Sequence, residues 1–141
     1  MTAQLTPHIS VSPQIAPEDI PALAAAGFVA IINNRPDGES AGQPAGAAIE
    51  AAAKAAGMAY TAIPVDHSGI SPAQVQAMAD ALAAAGGPVL AYCRSGTRST
   101  HLWALAEASR GAEVAGLVSA AADAGYDIRT MTPVLRQLGG R

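Results

Sequence analysis

The chain has 141 residues and a formal net charge of -3, from eight basic and eleven acidic side chains, and half of its residues are hydrophobic. This length suffices for one compact domain spanning residues 1–141 without a stabilising metal, the single cysteine excludes an intrachain disulfide, and so few basic residues exclude the charged stripe of a nucleic-acid-binding protein. The first residues lack the basic start and apolar core of a secretory signal, and the longest apolar run, Ala22 to Ile32, is too short to span a membrane, so a cytoplasmic protein with neither membrane nor nucleic-acid partners is expected.

In chain order, a short apolar start at Ile9 to Ile15 precedes "APEDIPALAAAG", where Pro17, Glu18 and Asp19 suit a helix start and Gly27 its end. "FVAIIN" (28–33) reads as a buried strand followed by the turn-rich "NRPDGESAGQP". Residues 45–56 read as a helix stopped by Gly57, 58–65 as a second strand, and "DHSGIS" as the loop beyond it. Ser71 and Pro72 then open a helix as N-cap and first-turn proline. It runs to Gly86 and Gly87, ahead of a third strand at 88–92. Residues 99–110, 113–124 and 132–138 read as helices. Alternating strands and helices predict an α/β fold, a parallel sheet with helices on both faces and a helical C-terminal part.

In such a sheet the residues just beyond each strand share one edge, where ligands bind. That edge would gather Asn33 to Glu39, Asp66 to Gly69 and Cys93 to Ser99. Three of the seven arginines, Arg35, Arg94 and Arg98, fall in or beside these turns, which favours a small anionic ligand. No metal or other cofactor is called for. Residues 94–98 contain no proline, so each backbone N–H of Arg94, Ser95, Gly96, Thr97 and Arg98 is available to cradle an anion, and Gly96 permits a tight turn. A helix starting near Ser99 and the Arg98 guanidinium would favour a thiolate at Cys93, a nucleophile with its adduct held in the cradle. Arg35 either meets the anion or ties down its turn through Glu39. Ser99 either bonds the thiolate or caps the helix. His67 and His101 are read as incidental, Trp103 and Leu105 as packing.

"YCRSGTRS" resembles the active loop of rhodaneses, Cys-x-x-Gly-x-Arg, whose cysteine carries a sulfane sulfur as persulfide. It also resembles, one residue short, the Cys-x5-Arg loop of cysteine-dependent protein phosphatases. More of the chain, in "VSPQI", "GFVAIINNRPDGES", "QPAG", "YTAIPVDHSGIS" and "GPVLAYCRSGTRSTHLWAL", resembles the phosphatase-like domain of the bacterial beta-lactamase hydrolase-like proteins over roughly residues 5–110. Members of that group are described both as phosphatases and as sulfurtransferases, and their fold is similar to that of dual-specificity phosphatases.

The resemblance implies Cys93 as nucleophile and Arg98 as the charge shaping its loop. Two departures from the phosphatase pattern are Tyr92 in place of a histidine and the shorter spacing to Arg98, the second of which narrows the ring by one N–H and suits a terminal sulfur. Asp66 falls where dual-specificity phosphatases place their general acid, which sulfur transfer does not need. The expectation is a sulfurtransferase that moves a sulfane sulfur from thiosulfate or a small persulfide through Cys93 to a thiol acceptor, beside a persulfide-oxidising or hydrolase partner. The alternatives are a phosphatase using a Cys93 phosphocysteine with Asp66 as acid, and a non-catalytic anion-binding module.

Overall fold

The computed structural model describes residues 2–141. Strands β1 (Ala3–Thr6) and β2 (Ile9–Ser12) form an antiparallel hairpin. There follow a 3-10 turn at Pro17–Asp19, helix α1 (Ile20–Ala25), strand β3 (Ala30–Asn33), helix α2 (Gly46–Ala55) and strand β4 (Ala59–Ala62). Helix α3 (Pro72–Ala84), strand β5 (Val89–Tyr92) and helices α4 (Thr97–Ser109), α5 (Val114–Asp123) and α6 (Thr132–Gln137) complete the described chain. The five-stranded sheet runs β1-β2-β5-β3-β4, parallel except for β1.

Two expectations are corrected here. The apolar start at Ile9 to Ile15 is a sheet strand followed by a turn, and β1 pairs with it, which makes the sheet mixed and not wholly parallel. Helix α4 begins at Thr97 and not near Ser99, because Gly96 is itself the N-cap in a left-handed conformation.

Period-two alternation sorts the central strands between two cores. Ala30 and Ile32 of β3 and Val89 and Ala91 of β5 face the core built with α3, α4, α5 and α6. Ile31, Leu90 and Tyr92 face the smaller one built with Ile20 of α1 and with Ile49 and Ala53 of α2. Helices therefore cover both faces, as alternation in the sequence implies. Trp103 and Leu105 sit in the larger core.

Parallel register brings four strands to a common level. Asn33 pairs with Tyr92 and with Ala62, and Ser12 pairs with Tyr92. The loops that leave this level begin with Pro13, Asn34, Ile63 and Cys93, and they build the site.

Candidate active site

Cys93 is the first residue beyond β5 and is fully buried. Its N–H donates to the Ser12 carbonyl at 3.3 Å, a last rung of the sheet that fixes where the thiol starts. The chain then turns within three residues, and the N–H of Gly96 donates back to Cys93 Sγ at 3.1 Å. Gly96 has φ of 89°, a left-handed value that other residues rarely adopt, and a Cβ there would run into the Tyr126 hydroxyl. Glycine at this position is thus demanded twice. The N–H groups of Arg94, Ser95, Thr97, Arg98 and Ser99 meet no backbone acceptor among the described residues. They leave a set of unspent donors on the loop after Cys93, at the positive end of α4.

The helix start decides Ser99. As the third residue of α4 it is not the N-cap, and its buried Oγ has no hydrogen-bond partner. The first turn closes through Thr100, whose N–H and Oγ1 both reach the Gly96 carbonyl, at 3.0 and 2.8 Å. Ser95 Oγ donates to Thr97 Oγ1 at 3.0 Å on the exposed side of the loop.

Arg98 is held by Glu39 through two 2.7 Å bonds, from Nη1 and from Nη2, and by the Val65 carbonyl at 2.7 Å from Nη1. A guanidinium has five N–H donors. These three contacts leave the Nε–H and one Nη2–H, a pair suited to two oxygens of one anion. The contact with Val65 also ties the loop after β4 to the loop after β5. The hydrogen bonds that Arg98 donates to Glu39, and the nearby Cys93, raise the pKa of Arg98, burial opposing them.

Arg35 is 5% exposed, and its guanidinium donates to Glu39 Oε1 at 3.0 Å, Gln14 Oε1 at 3.0 Å and Ser40 Oγ at 3.1 Å. Of the two roles its position allows, the structure shows the contact with Glu39, and Arg35 does not line the cleft described below. Glu39 is held down to a pKa of about 2, chiefly by the Arg98 hydrogen bond, with Arg35 adding to it and burial opposing it.

A cleft of about 380 Å³ is lined by Pro36 and Glu39 from the β3 loop, Asp66 and His67 from the β4 loop, and Arg94, Ser95 and Arg98. The three loops expected to converge do so. Asp66 is exposed, and its Oδ1 accepts from Ser68 Oγ at 2.5 Å and from Ser68 N–H at 2.8 Å. These hydrogen bonds, the hydroxyl's first, hold its carboxyl below the usual carboxylate range. His67, read from sequence as incidental, lies in the cleft wall, whereas His101 does not line it. Arg94 is exposed at the same cleft.

Residues 2–110 match the family described as "Beta-lactamase hydrolase-like protein, phosphatase-like domain". The chain belongs to this family. A beta-lactamase hydrolase-like protein of Agrobacterium fabrum is 48% identical over 103 residues, which are 73% of this chain and 23% of that protein. The chain spans 23% to 31% of the length of the curated relatives it matches. A crystal structure of a candidate phosphatase from Neisseria meningitidis shares 33% identity and a TM-score of 0.82 over 96% of each chain. The structure of Tk-PTP, at 18% identity, superposes with a TM-score of 0.73 over 98% of this chain and 95% of its own, which shows a common fold.

These likenesses make the phosphatase-like domain a cysteine-based, enzyme-like unit of phosphatase fold. They give no support to a sulfurtransferase, so the leading expectation from the shortened loop yields to its alternative. No described helix is long and apolar enough to cross a membrane. Sequence reasoning named Glu39 only as the partner that ties down the Arg35 turn, and did not single out Gln14 or Tyr126 as parts of the site. The four-residue spacing of Arg35 and Glu39 was a usable signal for the first, while nothing local signals the other two.

Proposed function

We propose that the domain hydrolyses phosphoesters through a phosphocysteine at Cys93. The Cys93 thiolate attacks phosphorus, forming an S–P bond as the P–O bond to the leaving group breaks. The leaving oxygen takes its proton from Asp66. Water then attacks phosphorus, gives a proton to the Asp66 carboxylate, and releases inorganic phosphate with the thiolate restored. The two unspent Arg98 donors and the free loop N–H groups meet the equatorial oxygens, where charge concentrates as the group transfers.

The observation that carries this reading is the Gly96 N–H aimed at Cys93 Sγ, on a loop whose Arg98 and Ser95 share one cleft with Asp66. The phosphatase description of the Neisseria meningitidis structure supports it further. Apart from Pro36 the cleft lining is charged and polar, and the His67 imidazole is its only aromatic ring among the described residues.

The test is turnover of an activated aryl phosphate and of thiosulfate, side by side, with wild type, Cys93→Ser and Asp66→Asn. Hydrolysis is expected to vanish in Cys93→Ser and to fall roughly 10²- to 10⁴-fold in Asp66→Asn. A Cys93 heavier by one sulfur after thiosulfate, with aryl phosphate untouched, would establish sulfur transfer instead. Binding of phosphate without turnover of either substrate would leave a non-catalytic module.

A further inference from the structure

We infer that Tyr126, beyond the segment matched by the family, is a positioning residue for Cys93 that acts through the Ser95–Gly96 peptide. The inference rests on Cys93 being the reacting group. The Tyr126 hydroxyl donates to the Ser95 carbonyl oxygen at 2.9 Å. That carbonyl and the Gly96 N–H are the two ends of one planar trans peptide, which points them in opposite directions. Holding the oxygen outward therefore aims the N–H inward, where it donates to Cys93 Sγ at 3.1 Å. The hydroxyl also fills the space a Cβ at Gly96 would need, so it blocks the loop from shifting towards it.

Tyr126 is itself held firmly. Helix α5 ends in a Schellman motif: Gly125, with φ of 98°, donates to the Ala122 carbonyl at 3.0 Å, and the Tyr126 N–H reaches back to Ala121 at 2.8 Å. Ile128, two residues on, is 1% exposed in the main core. The backbone of Tyr126 is thus anchored on both sides, and its ring presents the hydroxyl to the loop. Burial and the nearby Cys93 push the Tyr126 pKa up, which keeps that hydroxyl a donor.

The experiment titrates the thiolate of Cys93 by its ultraviolet absorbance in wild type and Tyr126→Phe, with Cys93→Ser as the blank. Loss of the hydroxyl frees the peptide to rotate and weakens the N–H contact to the thiolate. The midpoint is expected to move up by about 0.3 to 1 pH unit, and kcat/KM on aryl phosphate to fall roughly three- to tenfold. Gly125→Ala, which keeps the hydroxyl but strains the turn presenting it, should displace the midpoint in the same direction. A midpoint that stays put in Tyr126→Phe while the unfolding temperature falls overturns the inference, since the ring then merely packs. The phosphatase reading fails separately, on a wild type that leaves aryl phosphate intact whatever the titration gives.

Discussion

Glu39 accepts hydrogen bonds from Arg98 and Arg35, and its pKa falls from 4.5 to about 2. Because the folded value lies below the unfolded one, the contact stabilises the fold above the unfolded pKa. That stability is lost as pH falls from about 4.5 towards about 2. Glu39→Gln should cost about 2 kcal/mol near neutrality and flatten the acid limb of a stability profile measured by urea unfolding at stepped pH. The Asp66 reading makes a second claim. A general acid works only while protonated, so turnover that depends on it falls as pH rises past its lowered pKa. Ser68→Ala removes the hydroxyl bond that favours the charged form, and the falling limb of kcat should move to higher pH. A limb that does not move would strike Asp66 from the mechanism. Cys93, Arg98 and Asp66 were legible as neighbours because strand ends in a parallel sheet meet at one edge. The fate of Arg35 was not, since Gln14 completes its shell from 21 residues away in sequence.

Among the elements, helices and central strands could be read because apolar runs, prolines and glycine stops agree with one another. The hairpin could not. "AQLT" in β1 carries little β-propensity, and only its pairing with β2 makes it a strand. The start of α4 was misplaced because "SGTRST" offers several capping side chains, while the cap used is a glycine backbone. Helix α3 shows the opposite case, where sequence alone sufficed. Ser71 Oγ accepts from the Gln74 N–H at 3.2 Å, and the Gln74 side chain accepts from the Ser71 N–H at 2.7 Å. Ser71→Ala should lower stability by about 1 kcal/mol in urea unfolding and leave aryl phosphate turnover unchanged.

The larger core does not stop where the family match stops. Leu117 and Ala121 of α5, Ile128 ahead of α6 and Leu135 within it are buried with Val11, Leu102 and Trp103 in one cluster. Backbone bonds from Val114 to Arg141 and from Arg141 to Ala112, at 2.8 and 3.0 Å, close the two last helices together. A fragment ending at residue 110 would expose that surface, and in circular-dichroism melts of both it should lack the cooperative transition expected of the whole chain. The same wholeness bears on oxidative injury. These 141 residues hold one sulfhydryl, so a sulfenic acid formed there by peroxide has no second one within them to trap it as a disulfide. Its rescue falls to a neighbouring main-chain nitrogen or to a thiol from outside these residues, and without either the damage advances to the irreversible acids.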